Sequence, residues 1–281
     1  MSETDFGPCP VCNGLKGKIL FSTSTPISEF TLVLCGKCKL IRTRPFPSDQ
    51  LLHKHGFAGY YGKKSDKFIP AFQRIRNGTM RSRARSYLSF IPDGIEKPKI
   101  LDVGCGEGRL LNAFLDYGCD CWGIEHPHFP SERFISKDRI LYSQDGFGLI
   151  DVPEGGFDLI FLWHALEHMD DPQKIFKRLY KLLASEGTLV LAVPNFSSLE
   201  SKRFREFWFH LDIPWHKYHF SELSIGYLIK RNKFKIIRSS TLCFELGLYG
   251  FIQSILNSMG WPKNEFYEAL KGDLKSKRET P

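Results

Sequence analysis

The sequence predicts an α/β fold: a mostly parallel sheet with helices on both faces, preceded by a small metal-binding ribbon. Three observations predict it. Short apolar runs alternate with helical patterns from residue 98 to about 240. A glycine-rich turn follows the first of these runs, and two closely spaced cysteine pairs precede residue 40.

The apolar runs are predicted as seven strands, which together indicate a Rossmann-like sheet. Five runs are short and rich in β-branched or aromatic residues, which suits strands buried on both faces. They are KILDVG at 99–104, CWGIE at 121–125, RILYSQ at 139–144, FDLIFLW at 157–163 and GTLVLAVP at 187–194. Two weaker runs follow, at 234–241 and 242–248.

Three helices are predicted between these strands. Residues 110–115 place leucine and phenylalanine on one face, and Gly118 is suited to end that helix. Asp171-Pro172 opens the second helix, because proline fits a first helical turn. Ser221-Glu222 opens the third, which we expect to end near Asn232.

The composition is that of a globular protein and argues against a membrane-spanning one. The chain has 281 residues, with 42% hydrophobic and 25% charged residues, as in globular proteins. No apolar run approaches the roughly 18 residues of a membrane span, and MSETDFGPCPVC lacks the features of a secretory signal. We therefore expect a cytoplasmic protein. The net charge of +8 permits acidic partners without establishing them.

The stretch KILDVGCGEGRLL, at 99–111, indicates a nucleotide-type site, because a strand runs into glycines and then a helix. A dinucleotide fold favours G-x-G-x-x-G, but the last glycine of that pattern is here Arg109. No Lys-Ser/Thr pair follows, so a phosphate-binding P-loop is excluded.

The stretch resembles the first motif of class I S-adenosylmethionine-dependent methyltransferases, D/E-x-G-x-G-x-G. The resemblance implies that Asp102 organises the loop and the ammonium group of the cofactor, while Gly104, Gly106 and Gly108 let the backbone approach it. Glu125 ends the second strand, where an acid can bind both ribose hydroxyls.

Two later segments extend the resemblance. In SQDGF, the resemblance implies that Asp145 contacts the adenine amino group of the cofactor, with Gln144 as the alternative residue. A plain Asp-Gly turn without a ligand is the other interpretation. FDLIFLWHALEHMDDP, at 157–172, resembles the fourth strand and following loop of a methyltransferase subgroup. Trp163 is then expected to line the cofactor site, and His164 to line it or contact substrate.

In the same segment, Glu167 and His168 are interpreted as structural groups that hold the loop by hydrogen bonds.

Cys9, Cys12, Cys35 and Cys38 form two C-x2-C pairs, a spacing that presents four thiolates to one Zn²⁺. The strand-like segment between them is typical of a zinc ribbon. A closed four-cysteine site is expected to hold a small fold together rather than to activate water. The ribbon resembles those preceding some sugar and small-molecule methyltransferases.

Between ribbon and sheet lie a tyrosine-rich segment and a basic one. Tyr60 and Tyr61 are interpreted either as a lid over the site or as packing residues. His53 and His55 have no further ligands nearby and do not indicate a second metal site. The basic segment is RIRNGTMRSRARSY, with arginines from Arg74 to Arg85. We interpret it as a solvated helix face, and RNA binding is the alternative.

A long segment, residues 195–220, follows the fifth strand and is expected to carry substrate contacts. Our candidates for a catalytic base are His219, His216 and His164, in that order. The tail at 246–281 is amphipathic, and its apolar face is expected to pack on the core; subunit pairing and membrane-surface contact remain alternatives.

These observations predict a zinc ribbon at 1–45, a linker and helical lid at 46–97, a methyltransferase core at 98–245 and the tail. The expected activity is transfer of a methyl group from S-adenosylmethionine to a small molecule, such as a sugar or nucleotide-linked sugar, by a monomer or homodimer. The alternatives are an RNA methyltransferase, a non-catalytic scaffold that binds the cofactor, and an NAD oxidoreductase.

Overall fold

The structure is a computed structural model. It describes residues 4–25, 27–47, 70–127, 139–143, 152, 154, 156–241 and 244–261. Several residues singled out above lie outside this part of the chain: His53, His55, Tyr60, Tyr61, Gln144 and Asp145, together with the side chains of Arg74 and Arg76.

The N-terminal region forms an antiparallel sheet. Its strands are β1 (Thr4–Asp5), β2 (Lys16–Ser24), β3 (Glu29–Cys35) and β4 (Ile41–Arg44), paired in chain order. One face of this sheet is apolar and buries Phe30, Leu32 and Ile41. These side chains pack on aromatic and aliphatic residues of the 195–220 segment, so the ribbon has a fixed contact with the second half of the chain.

The second sheet is parallel and has five strands. They are β5 (Lys99–Val103), β6 (Asp120–Glu125), β7 (Ile140–Tyr142), β8 (Phe157–Trp163) and β9 (Leu183–Ala192). The spatial order is β7-β6-β5-β8-β9. Because β5 has β6 on one side and β8 on the other, the chain changes direction beside it, and ligands of such sheets bind at the carboxyl end of that strand.

Helices connect and flank the strands. They are α1 (Pro70–Leu88), α2 (Arg109–Leu115), α3 (Pro172–Leu182), α4 (Leu199–Phe204), α5 (Glu222–Arg231) and α6 (Phe244–Ser258). A 3-10 turn at Leu166–His168 follows β8, and two more lie at Arg205–Phe207 and Phe209–Leu211. No helix among the described residues is long and apolar enough to cross a membrane.

The three helices predicted from the sequence are confirmed, with their end signals. The Asp171 carboxylate accepts a hydrogen bond from Lys174 N at 2.9 Å, which caps α3. Ser221 and Ser224 form a reciprocal capping box at the start of α5, and Asn232 follows its last turn. Gly118 adopts a φ of +79° after α2.

The prediction of seven strands is wrong for the described residues. Residues 234–241 form no strand, and 244–248 belong to α6. Ile236 and Ile237 are 55% and 62% exposed, so their β-branched side chains have no sheet face to cover. The apolar residues that begin at 242–248 continue toward Met259 at helical spacing. This helical pattern agrees with the structure, in which 244–248 begin a helix rather than a strand.

The orientation of α6 also differs from expectation. Its apolar residues Phe251, Ile252 and Ile255 lie exposed, whereas Ser254 and Asn257 are buried. The polar face has partners there, because Phe209 N donates to Ser254 Oγ at 2.9 Å and Asn257 Nδ2 donates to Phe207 O at 3.1 Å. Phe251 also packs on the buried Phe204, with ring centroids 5.6 Å apart, so part of the apolar face contacts the core.

A short strand, β10 (Tyr218–His219), joins the two halves of the molecule. It pairs antiparallel with β4, with Tyr218 opposite Arg42 and His219 opposite Ile41. Thr43 N also donates to Lys217 O at 3.1 Å. The ribbon sheet therefore holds the end of the 195–220 segment in place.

Candidate functional site

The glycine-rich turn lies at the carboxyl end of β5. Gly104, Gly106 and Gly108 all have positive φ, at +79°, +53° and +59°. Glycine is required at position 104 for two reasons: its φ is positive, and an added Cβ would lie 2.7 Å from Ala165 Cβ. The loop is thereby kept open and in contact with the segment after β8.

Glu125 fastens this loop to the neighbouring strand. Its Oε2 atom accepts a hydrogen bond from Gly106 N at 2.6 Å, and Oε1 accepts one from His126 N at 2.8 Å. Burial raises the pKa of Glu125, and the two backbone N–H groups oppose that rise. The sequence predicted an acid at this strand end, but it did not reveal the contact with the glycine loop.

Asp102 lies at the end of β5 beside Glu125. Its side chain is buried, and desolvation, followed by the charge of Glu125, raises its pKa to about 7. Neither carboxylate forms an ion pair with a cationic side chain of the described residues. Two buried acids without a counter-charge suit a ligand with an ammonium group and hydroxyl donors.

Trp163 ends β8 on the same edge of the sheet. Its ring packs edge-on against Tyr87 at 6.3 Å, and the Arg83 guanidinium lies 4.9 Å from the ring centroid. Helix α1 therefore contributes to the same edge.

The residue after Trp163 has an unusual conformation. His164 has φ of +51°, and its backbone N donates to Ala192 O at 2.9 Å. Its Nδ1 atom is 3.4 Å from Glu167 Oε1, and its side chain is 26% exposed. The ring stacks at 6.4 Å on His210, which the sequence interpretation had not singled out.

Glu167 is 1% exposed. Burial alone would raise its pKa, but the hydrogen bond from His164 and the positive charge that His164, His168 and His216 can carry outweigh it and lower the pKa to about 2. Its Oε2 atom is buried and has no hydrogen-bond partner in the described structure. Such an atom calls for an explanation.

Two further histidines, His168 and His216, lie beside this acid. His168 Nδ1 donates to Trp215 O at 3.0 Å, and His216 Nδ1 donates to His210 O at 2.9 Å. The two rings meet edge to face at 4.8 Å. Burial lowers the pKa of His168 to about 4 and also lowers that of His216.

His219 is held by the ribbon. The Thr43 hydroxyl donates to His216 O at 2.8 Å, so its oxygen accepts from His219 Nε2 at 3.0 Å. Burial lowers the pKa of His219 to about 3. No local sequence signal indicated Thr43, because its partners follow it by more than 170 residues.

The four cysteines of the ribbon meet in one buried cluster, with their Sγ atoms within 4.8 Å of one another. The Cys9–Cys38 and Cys12–Cys35 Sγ distances are both 3.5 Å. A disulfide needs about 2.05 Å, whereas four sulfurs around one zinc ion lie about 3.8 Å apart.

The two cysteine turns have the same backbone geometry. Asn13 N donates to Cys9 O at 2.8 Å, and Lys39 N donates to Cys35 O at 3.2 Å. Asn13 and Lys39 both have positive φ, at 58° and 62°. These paired turns suit a tetrahedral tetrathiolate site.

The fold and the site define an α/β protein with a nucleoside-type site at the carboxyl edge of a parallel sheet. The model of the methyltransferase domain family matches residues 72–239. The chain belongs to this family.

Named relatives align with parts of the chain. Ajmaline N-methyltransferase of Rauvolfia serpentina is 28% identical over 152 residues, 51% of this chain and 52% of that protein. Ubiquinone biosynthesis O-methyltransferase of Psychrobacter arcticus is 32% identical over 110 residues, 36% of this chain and 43% of that protein. The chain spans about half the length, or less, of these curated relatives.

A solved structure is also similar. A SAM-dependent methyltransferase from Archaeoglobus fulgidus is 19% identical, with a TM-score of 0.46, over 64% of this chain and 87% of that chain.

Proposed function

We propose that this protein transfers a methyl group from S-adenosylmethionine to a small molecule. The observation that carries the proposal is the pair of buried carboxylates, Asp102 and Glu125, which lie beside the glycine loop and have no cationic partner among the described side chains. When bound, S-adenosylmethionine supplies a methyl group that its sulfonium makes electrophilic. The protein must then position the acceptor and exclude water.

The residues present fit this cofactor. Asp102 suits the ammonium group of its amino-acid portion, because a cation relieves the cost of burying that carboxylate. Glu125 suits the ribose hydroxyls, since each of its oxygens retains a lone pair after accepting one backbone hydrogen bond. Trp163 lines the same edge, and Asp145 is proposed for the adenine amino group from the sequence alone.

A small-molecule acceptor is supported by the relatives, whose names specify ajmaline N-methylation and O-methylation in ubiquinone biosynthesis. Within that class, a sugar or nucleotide-linked sugar remains our proposal, based on the resemblance of the ribbon. A hydroxyl acceptor needs a base near neutral pH, whereas an amine needs only positioning.

His164 is now our first candidate for that base. It is partly exposed, it follows β8 at the cofactor edge, and Glu167 Oε1 lies 3.4 Å from its Nδ1. His216 and His219 remain candidates, but both are buried, and His219 is bound to Thr43. The nearby Glu167 carboxylate would stabilise the positive charge that His164 gains when it accepts a proton.

The RNA alternative gains no support from the described arginines. Arg81 forms an ion pair with Asp116 at 2.7 Å, and Arg83 lies over Trp163. These side chains make contacts within the protein, which suits a helix packed on the core rather than a basic binding stripe.

The ribbon is proposed to hold one structural Zn²⁺ through Cys9, Cys12, Cys35 and Cys38. The four buried sulfurs and the matched turns support this proposal. Since the ribbon sheet bonds to β10, the zinc ion would stabilise the 195–220 segment as well as the ribbon.

Cofactor binding is tested by isothermal titration calorimetry with S-adenosylmethionine and, separately, with NAD⁺. We expect one equivalent of S-adenosylmethionine to bind and NAD⁺ not to bind. Binding of NAD⁺ alone would support the oxidoreductase alternative and overturn the proposal. The D102N variant should bind S-adenosylmethionine more weakly, whereas D158N, in which Asp158 bonds Lys99 N away from the loop, should bind normally.

A further inference from the structure

A second group of metal-ligating side chains lies beside the cofactor edge. Glu167, His168 and His216 each place one ligand atom within 4.8 Å of the others. The first two belong to the 3-10 turn after β8, and His216 comes from the segment that leads into β10. Residues 48 positions apart therefore converge on one buried point.

Both histidines are oriented as metal ligands are. Each Nδ1 donates its proton to a backbone carbonyl, Trp215 O for His168 and His210 O for His216. A neutral imidazole with its proton on Nδ1 has its lone pair on Nε2. Metal-bound histidines almost always donate their other ring nitrogen to a carbonyl or carboxylate in this way.

The carboxylate supplies the third ligand. Glu167 Oε1 lies near His164 Nδ1, but Oε2 is buried and has no hydrogen-bond partner among the described residues. Asp212 adds a second negative charge, with Oδ2 3.9 Å from His216 Nε2. A buried carboxylate oxygen without a hydrogen-bond partner, close to two histidine side chains, suits a bound cation.

We propose that Glu167, His168 and His216 bind a divalent transition-metal ion, through Glu167 Oε2 and the Nε2 atoms of the two histidines. Two imidazoles and one carboxylate suit Zn²⁺, Mn²⁺, Fe²⁺ or Co²⁺. Ligands around one such ion lie about 3.4 Å apart in a tetrahedral site, whereas the three residues place one ligand atom each within 4.8 Å of the others, so binding would draw them closer together. Three protein ligands leave a coordination position for water or a substrate oxygen.

This site is separate from the ribbon, and its chemistry is different. The ribbon offers four thiolates, whereas this site offers only nitrogen and oxygen. Co²⁺ distinguishes the two, since thiolate ligands give intense near-ultraviolet charge-transfer bands and nitrogen or oxygen ligands give only weak visible bands. The proposal does not depend on methyl transfer, because metal binding is measured without S-adenosylmethionine.

The experiment uses the full chain, stripped of metal and titrated with Co²⁺, with bound metal counted by mass spectrometry. We expect two ions per chain, the second without thiolate bands. E167Q and H216Q should each keep the thiolate site and lose the second ion. The matched control H219Q should keep both, because His219 bonds Thr43 and lies outside the group.

One ion per chain in the wild type, with thiolate bands only, would overturn the proposal. Equal metal content in the wild type, E167Q and H216Q would overturn it too, since a second ion would then bind elsewhere. The wild-type count does not depend on the folding of any variant. Circular dichroism of E167Q and H216Q separates loss of the site from loss of the fold.

Discussion

Glu125 Oε2 accepts a hydrogen bond from the backbone N of Gly106 at 2.6 Å. The carboxylate at the end of β6 therefore holds the loop that follows β5. Its other oxygen accepts from His126 N, so one side chain fixes two backbone segments at the proposed cofactor site. The residue that fixes the loop is thus also one that we propose to bind the cofactor.

Replacing Glu125 with glutamine should weaken binding of S-adenosylmethionine. Glutamine has one carbonyl oxygen and can accept from Gly106 N or His126 N, but its amide nitrogen would face the other N–H. We expect the Kd to rise about 10- to 100-fold, or about 1.4–2.8 kcal/mol. Calorimetry measures the change, and D158N is the matched control; equal affinity for E125Q and the wild type would contradict this role.

Replacing Gly104 with alanine should damage both the loop and its packing. The new Cβ would meet Ala165 Cβ at 2.7 Å, in a backbone conformation that alanine avoids. We expect a loss of about 1–3 kcal/mol in unfolding free energy, together with loss of cofactor binding. Urea denaturation measures the first and calorimetry the second.

Gly78 provides the control for Gly104. It lies within α1 and has nothing within 4 Å of an added Cβ. The G78A variant should be stabilised by about 0.5–1 kcal/mol, since alanine is the better helix former. If G104A were as stable as G78A, the contact with Ala165 would be unimportant.

Asp102 should make the unliganded protein less stable as pH rises. Its folded pKa is raised from 3.8 to about 7, by desolvation first and the charge of Glu125 second. Between these values the folded protein holds a proton that the unfolded chain has released, so stability falls as pH rises through that window. The D102N variant cannot lose this proton and should lack that part of the pH dependence.

Urea denaturation at pH 4 and pH 8 measures this effect. We expect D102N to exceed the wild type in stability by about 4 kcal/mol at pH 8 and by little at pH 4. The same variant should bind S-adenosylmethionine poorly, so stability and binding change in opposite directions. A D102N protein that is less stable than the wild type at pH 8 would show that Asp102 is compensated by a charge in the folded state.

Thr43 should stabilise the junction of the ribbon with the second half of the chain. Its hydroxyl donates to His216 O and accepts from His219 Nε2, and valine can do neither. The T43V variant should lose about 1–3 kcal/mol of unfolding free energy, because buried polar groups are left unpaired. T31V is the control, since Thr31 bonds Ser22 at an exposed position and should change stability by less than about 0.5 kcal/mol.

Arg42 should help to retain the proposed ribbon zinc. Four thiolates and one Zn²⁺ carry a net charge of about −2, and the buried Arg42 guanidinium donates to Pro8 O at 3.0 Å, directly before Cys9. We expect R42M to release zinc to a chelator about tenfold faster than the wild type. K39M removes an exposed charge next to Cys38 and should have little effect; equal release rates for the two variants would contradict this role.

Much of the core follows from local sequence patterns. The five strands between Lys99 and Ala192 contain short apolar runs, and α3 and α5 begin at side-chain caps that a short segment reveals. Residues 234–248 could not be assigned this way. Their β-branched and aromatic content suits a strand, but whether a strand forms depends on a neighbouring edge that the local sequence does not describe.

The candidate site also combines features that local sequence predicts with contacts that depend on the fold. The glycine turn at Gly104, Gly106 and Gly108 could be predicted from the pattern of strand, glycines and helix, and the structure adds their positive φ values. The contacts of His219 with Thr43, and of His216 with Glu167 and His168, join distant parts of the chain. Only the fold brings such residues together, so the sequence interpretation treated them as separate histidines.

Methyl transfer to a small molecule can be measured in one labelling experiment. Purified protein is incubated with methyl-labelled S-adenosylmethionine and an extract of its own cells, and the products are separated into polar small molecules, lipid, RNA and protein. We predict label in the polar small-molecule fraction, lost in E125Q and retained in D158N. Label in RNA alone, or no transfer despite cofactor binding, would contradict the claim.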